Sequence, residues 1–360
     1  MKVLFAGGGT GGHLYPALAV AEHLRRTRPD CTCAFMGSAQ GMEARLVPKH
    51  GFELHMIPGS GFRRMGVAGR LRATLDLARG LWAAVAFVRR WQPDVVVATG
   101  GYASLSAGLA AALLRRPLVV QEQNSIPGVT NRVLGRLARE VHVAFPGCER
   151  YFGRHVKLTG NPLRDEILDP QPPLDDVPPG VPLVLVVGGS RGARSINNAV
   201  AAAIPLVAQQ RRVVWLWQTG ELDHARLAPQ WAGTPDVLLR AYIDSMPTAL
   251  AGATLLVCRA GAMTLAEITA RAKAAILVPF PGAVDDHQTA NARSLVDAGA
   301  AVLVPDHELD GPRLAREVLA MLASPDRLRQ MGEASARLAR PRATEELAAA
   351  VTAQGAGGGH

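Results

Sequence analysis

Residues 7–13 read Gly7-Gly8-Gly9-Thr10-Gly11-Gly12-His13, directly after the strand-like run Lys2-Val-Leu-Phe-Ala6 and before a stretch with helical spacing at 17–26. A strand that hands five glycines and a threonine to a helix N-terminus leaves backbone N–H groups aimed outward, where they and the helix dipole favour an anion. Side chains at these positions would block the approach of a phosphate and resist left-handed angles. The unusual element is His13, a titratable group at the lip of an anion site. A strand–glycine turn–helix unit of this kind predicts a parallel, doubly wound α/β sheet.

A second turn of the same kind, Gly188-Gly189-Ser190-Arg191-Gly192-Ala193, follows the strand-like 182–187. A shift of 180 residues lays Gly8, Gly9 and Gly12 on Gly188, Gly189 and Gly192, Thr10 on Ser190, and His13 on Ala193. Two similar halves are therefore expected, with loops that have different duties.

Short apolar or β-branched runs alternate with helical patterns along the whole chain. Strands are predicted near 2–6, 31–36, 94–98, 117–121, 141–145 and 156–159 in the first half. The second half should hold them near 183–187, 212–217, 237–241, 254–258, 275–279 and 301–304. Helical spacing is clearest at 17–26, 71–91 and 314–322. The segment 169–182 holds six prolines and reads as a linker. The expectation is two Rossmann-like domains facing a central cleft, 1–163 and 164–334, with a C-terminal helix at 335–352 packing back on the first.

The 360 residues are 48% hydrophobic and 19% charged, which suits a globular α/β protein and not a disordered one. Apolar stretches are broken by Gly, Pro or Arg well short of a membrane span, and Met1 leads straight into the first strand with no signal-peptide pattern. Four cysteines without zinc spacing read as reduced thiols. The formal net charge of +9 could serve nucleic acid, an anionic membrane or a phosphorylated substrate. With 5% aromatics and no helix-turn-helix or zinc-finger pattern, nucleic acid is the reading set aside.

Gly7-x-Gly9-x-x-Gly12 formally satisfies the dinucleotide fingerprint, which also wants an acidic residue closing the second strand. That strand ends Phe35-Met-Gly-Ser-Ala-Gln40, with no carboxylate before Glu43. A P-loop would need Gly-Lys-Ser/Thr where Gly12-His13-Leu14 stands. Neither cofactor reading meets its second requirement. Gln121-Glu-Gln-Asn124 after an apolar strand reads as a cleft-lining loop, with ordinary loop packing as the duller view; Asn124 both donates and accepts, which suits a sugar hydroxyl or acetamido group. Cys258-Arg-Ala-Gly-Ala-Met-Thr-Leu-Ala-Glu267 passes from strand through a small-residue turn into a helix, aiming amides at a diphosphate with Glu267 placed to accept from a ribose diol. Its duller view is a carboxylate answering the helix dipole. Asp285-Asp-His-Gln288-Thr-Ala-Asn291 adds a polar loop; a metal there is disfavoured, because two adjacent carboxylates seldom converge on one ion.

As an ordered set, Gly-Gly-Thr-Gly-Gly-His13, Glu122-Gln-Asn124, Gly160-Asn-Pro-x-Arg164, Gly188-Gly-Ser-x-Gly192, the 258–267 run and Asp286-x-Gln288-x-x-Asn291 resemble one family over nearly the full chain. That family comprises the GT-B N-acetylglucosaminyltransferases that act on undecaprenyl-diphospho-muramoyl-pentapeptide in peptidoglycan synthesis. The resemblance implies inverting transfer of N-acetylglucosamine from UDP-N-acetylglucosamine (UDP-GlcNAc) to the 4-hydroxyl of that polyprenyl-diphosphate-linked acceptor, with neither metal nor cofactor. It implies Thr10, Gly11 and Gly12 at the acceptor side of the donor site, Asn124 on the sugar, and Arg164 and Ser190 on the nucleotide diphosphate. The backbone of Ile243 would read uracil. Ala262, Met263, Thr264, Leu265, Ala266 and Glu267 would hold diphosphate and ribose, and Gln288 the hexose hydroxyls. The chain departs from the usual pattern at Gln121, Ser106 and Arg191.

His13 is the preferred general base, because imidazole titrates near working pH; a structural histidine bonding the glycine loop is the alternative. Other readings of the chain are a GT-B transferase acting on another acceptor, and a nucleotide-sugar-binding protein without chemistry. A lipid-anchored acceptor further implies a peripheral protein on an anionic membrane at the cytoplasmic face. Arg63, Arg64, Arg70, Arg72, Arg79, Arg89, Arg90, Arg115, Arg116, Arg132, Arg136 and Arg139, interleaved with Phe62, Leu71, Leu75, Leu81, Trp82, Val85 and Phe87, would form its docking surface, with ordinary core as the duller view of many of these apolar residues.

Overall fold

A computed structural model describes residues 1–39, 41–58, 67–153, 155–189 and 191–357, without the side chains of 67–74. The chain divides into two compact units, Met1–Arg164 together with the chain from Arg340 onward, and Asp165–Ala339. Each is built on one parallel sheet.

The first unit carries β1 (Lys2–Gly7), α1 (Gly11–Thr27), β2 (Thr32–Gly37), α2 (Glu43–Lys49), β3 (Glu53–Met56), α3 (Val67–Trp91), β4 (Val95–Gly100), α4 (Tyr102–Leu113), β5 (Leu118–Glu122), α5 (Val129–Gly135), β6 (Glu140–Val143) and β7 (Val156–Leu158). Its strand order is β3-β2-β1-β4-β5-β6-β7, so the chain reverses direction across the sheet between β1 and β4. Alternate residues of each strand feed opposite faces, as the period of two requires. Leu4, Ala6, Met36, Val96 and Val120 meet α3 and α4 on one side, and Val3, Phe5, Phe35, Val97 and Val119 meet α1 on the other.

The second unit carries β8 (Leu183–Val187), α6 (Arg194–Ala208), β9 (Val214–Gln218), α7 (Glu221–Trp231), β10 (Val237–Arg240), α8 (Met246–Gly252), β11 (Leu255–Cys258), α9 (Ala262–Ala270), β12 (Ala275–Leu277), α10 (His287–Val296), β13 (Ala301–Leu303), α11 (Gly311–Leu322) and α12 (Pro325–Leu338). Strand order β10-β9-β8-β11-β12-β13 repeats the reversal, here between β8 and β11. Trp215 and Trp217 anchor one face of this sheet against α6 and α11. In open parallel sheets ligands gather beyond the carboxyl ends of the strands at such a reversal, which is where both glycine turns emerge.

Three expectations need correction. The strand β3 was not anticipated: its four residues lie at the sheet edge, with burial too shallow to show an alternating pattern. The helix expected at 335–352 is two pieces. α12 stops at Leu338, and after a break that contains Pro341, which has no N–H to continue a ladder, α13 (Ala343–Ala356) begins. α13 sends Leu347, Ala348 and Val351 into the core beside α1, and Thr344 Oγ1 bonds both the N–H and the C=O of Leu163. The proline-rich 169–182 is held by the second unit: Arg271 donates to the Asp169 carbonyl, Thr248 Oγ1 donates to Gln171 Oε1, and Leu174 rests on Gly252.

One buried group should make the first unit acid-sensitive. His142, in β6, is 1% exposed, with Nδ1 2.6 Å from Thr159 Oγ1 and Nε2 3.2 Å from Glu140. Burial holds its pKa below the ordinary 6.5, outweighing the attraction of Glu140. The unfolded chain therefore binds the proton first as pH falls through about 6.5, and acid favours unfolding. Thermal melts should show a lower midpoint at about pH 5.5 than at about pH 7.5, and His142→Gln should flatten that dependence; an unchanged slope in the variant would reject the assignment.

Candidate functional site

In the first unit the turn between β1 and α1 is locked by its neighbours. Gly9 takes a φ of +82°. A Cβ on Gly7 would strike Thr99 Oγ1, which itself donates to the His13 carbonyl at 2.7 Å. Thr10 is the exposed N-cap residue of α1, and Gly11, Gly12 and half-buried His13 form its first turn. The imidazole lies over Gly100, whose own Cβ would come within 2.9 Å of His13 Cδ2. Its Nδ1 is 3.1 Å from the Gly8 carbonyl and 3.4 Å from Thr10 Oγ1. A carbonyl only accepts, so this contact puts a proton on Nδ1, and in the neutral ring the lone pair is then on Nε2. That is the protonation state a general base needs.

The end of β5 and the residues after it differ from expectation. Gln121, Glu122 and Gln123 are packed at 0–1% exposure and bond chiefly inside the protein, so they do not line a cleft. Gln121 Nε2 donates to Asn161 Oδ1, Asn161 Nδ2 to the Gln123 carbonyl, and Gln123 Nε2 to the Thr99 carbonyl. Glu122 collects the Asn124 and Gly128 N–H groups and the amides of Asn124 and Asn131. Buried polar groups demand such partners, and these side chains find most of theirs within the unit, while Gln123 Oε1 and Asn131 Oδ1 are left without one. Only half-buried Asn124 reaches the surface, held in place by Glu122. Arg164 ends the unit with its guanidinium 5.6 Å from the centre of the Tyr15 ring on α1.

In the second unit the turn after β8 is similarly crowded: a Cβ on Gly188 would come 2.5 Å from the Ala193 nitrogen, and Gly192, at φ +75°, sits against the Thr219 carbonyl. Ser190 lies outside the described residues. Gln218, closing β9, donates to the Gly189 carbonyl at 3.1 Å and accepts the Ile243 N–H at 3.0 Å. One amide thus ties the glycine turn to the segment expected to read a base.

The turn after β11 leads through Gly261 into α9. Met263, Thr264, Ala266 and Glu267 are partly exposed, whereas Ala262 and Leu265 are buried; Leu265 is 1% exposed and its N–H bonds the Gly261 carbonyl, so its side chain belongs to the core. Burial, with the charge of Glu267 adding to it, pushes the Cys258 thiol up to about 12. Asn291 Nδ2 steadies this turn by donating to the Ala260 carbonyl, and Gln288 Oε1 accepts the Phe280 N–H. Asp285 and Asp286 both adopt a φ of +51°. Among the described residues no three His, Cys, Asp or Glu side chains gather as a metal cage.

Two residues escaped the sequence reading. Arg259 donates to the carbonyls of Val278 and Pro279, to Asp306 Oδ1 at 2.5 Å and to Ser195 Oγ, so it knits the ends of β11, β12 and α6. Glu43, passed over as too late to close β2, reaches back to the first glycine turn and accepts the Gly9 N–H at 2.9 Å. Distance along the chain hid both.

Comparison with known proteins shows the family and the fold. The glycosyltransferase family 28 N-terminal domain matches residues 3–143 and the family's C-terminal domain matches 183–347. A UDP-N-acetylglucosamine–N-acetylmuramyl-(pentapeptide) pyrophosphoryl-undecaprenol N-acetylglucosamine transferase of Alkalilimnicola ehrlichii is 46% identical over 354 residues, 97% of either chain. The protein of the same name from Anaeromyxobacter dehalogenans is 44% identical over 353 residues, covering 97% of this chain and 91% of its own. A crystal structure of MurG from Acinetobacter baumannii superposes with a TM-score of 0.80 at 31% identity, over 98% of this chain and 99% of the other.

Proposed function

The chain belongs to glycosyltransferase family 28, and from that premise we propose that it moves N-acetylglucosamine from UDP-GlcNAc to the 4-hydroxyl of undecaprenyl-diphospho-muramoyl-pentapeptide, completing the lipid-linked disaccharide of peptidoglycan. The observation that carries this is the near full-length likeness to transferases of that one name, which spans both domains.

The chemistry follows from the residues. The acceptor hydroxyl gives its proton to His13 Nε2 as its oxygen bonds C1 of the sugar from the face opposite the diphosphate. The C1–O bond breaks, its electron pair leaves on UDP, and the anomeric configuration inverts. UDP departs as an anion, so what it needs is positive potential: the first turn of α9, the Gly188 turn and Arg164 are the groups we assign to it. Glu267 would accept from the ribose hydroxyls, the Ile243 carbonyl from uracil N3–H, and Asn124 and Gln288 would hold the sugar. The decisive assay is transfer of labelled sugar from UDP-GlcNAc to a lipid-linked muramoyl acceptor. Donor binding without turnover on any polyprenyl-diphosphate acceptor would instead favour a binding protein.

Among the described residues no helix is long and apolar enough to cross a membrane. We infer a peripheral position on the cytoplasmic face, which four free cysteines suit. Of the interleaved apolar residues, Phe87 is core and Leu81 and Val85 pack against it, while Leu75 (52% exposed) and Trp82 (76%) stand out from α3 beside exposed Arg79. Phe62, Arg63 and Arg64 lie outside the described residues, as do the side chains of Arg70, Leu71 and Arg72. Leu113 on α4 and Val129 on α5 are further exposed apolar groups, with Arg115 and Arg136 exposed nearby in sequence. Each arginine near an anionic leaflet contributes about 1 kcal/mol. Vesicle co-sedimentation should therefore require anionic lipid, weaken with salt, and fall by about fivefold in Arg79→Glu. Equal binding to neutral and anionic vesicles would overturn the docking surface.

A further inference from the structure

The Gly8–Gly9 peptide unit is hydrogen-bonded at both ends. Its N–H donates to Glu43 Oε2 at 2.9 Å, and its carbonyl oxygen lies 3.1 Å from His13 Nδ1. Glu43 is 1% exposed, and its other oxygen accepts from the N–H and the hydroxyl of Ser38, each at 2.9 Å. The space it fills is kept open by three glycines, Gly8 in the first turn, Gly37 at the end of β2 and Gly41 in the β2–α2 connection: a Cβ on any of them would run into the Glu43 side chain. A carboxylate is costly to bury, and three donors aimed at it are what make it tolerable there. A role confined to the α2 dipole would ask for no contact with Gly9.

We propose that Glu43 is a positioning residue for sugar transfer, acting on His13 through the Gly8–Gly9 peptide. Negative charge at the N–H end of a peptide raises electron density on its oxygen, and hydrogen bonds in series strengthen one another. The Gly8 carbonyl thereby holds the proton on His13 Nδ1, keeps the ring over Gly100 and leaves Nε2 to take the acceptor's proton. A carboxylate orients an imidazole base in many hydrolases by direct contact; here one peptide unit stands between them. The inference rests on the reading of His13 as the base.

The test uses the full chain with 15N-labelled histidine. In the wild type at neutral pH, His13 should show the Nδ1–H tautomer; the Nε2–H tautomer would overturn the proposal without any variant. Glu43→Gln, which supplies an amide where three donors converge, should mix the tautomers and lower kcat by about 10- to 100-fold, the cost when a metal-binding histidine loses its outer hydrogen-bond partner, with the KM for UDP-GlcNAc unchanged. In a His13→Ala background the same substitution should cost nothing further. An equal fold-loss in both backgrounds would show that Glu43 serves only the fold. Normal turnover of His13→Ala alone would instead remove the base itself, and this inference with it.

Discussion

His13→Ala is expected to lower kcat by roughly 10²–10⁴-fold while UDP still binds. The range is that of one positioned proton acceptor, and the separation follows from where the groups lie. The imidazole belongs to the first unit, whereas Ile243, α9 and Glu267, assigned to the nucleotide, belong to the second. Removing the ring also opens space over Gly100, but the turn keeps its other restraints, from Thr99 and Glu43. Steady-state kinetics at saturating donor, paired with UDP titration, checks both halves of the prediction. Turnover near the wild-type rate would dismiss His13 as the base while leaving the family assignment untouched.

Glu267→Ala is expected to act on the donor. Loss of a charge-assisted hydrogen-bonded pair costs about 2–4 kcal/mol, or roughly 30- to 1000-fold in kcat/KM for UDP-GlcNAc. A ligand that binds only the folded state raises its stability by about 2.7 kcal/mol at a hundred times its Kd. UDP should therefore raise the melting temperature of the wild type and do much less for the variant. ADP offers the same ribose and diphosphate but no N3–H for the Ile243 carbonyl, so it should protect weakly. Equal protection by ADP and UDP would refute the reading of uracil by that backbone.

What the sequence disclosed, and what it hid, divides along a physical line. Glycine turns are local: a strand, a run of small residues and a helix within about a dozen positions announce themselves, and both lie where the strand order reverses. Polar residues at the end of a strand are ambiguous, because an inward-facing network and a ligand loop have the same composition. Gln121, Glu122 and Gln123 took the first course because Asn131 and Asn161 supply partners from other segments. Glu43 was invisible for a related reason: its partner is 34 residues away, and no periodicity marks a carboxylate that turns back. On α3, helical spacing identified an amphipathic helix, but only the packing on α4 separates buried Phe87 from exposed Trp82.

The return of the chain at Arg340 has a consequence for how the protein is made. The second unit is one continuous segment, so it has all its residues once synthesis passes Ala339. The first unit does not: Val3, Phe5 and Leu18 share their side of the sheet with Leu347, Ala348 and Val351. On the ribosome, the half translated first waits longest for its last contacts, with apolar surface uncovered meanwhile. These pairings span nearly the whole chain, the kind of sequence separation that slows folding. The order of completion is thus the reverse of the order of translation, and α13 acts as the closing piece.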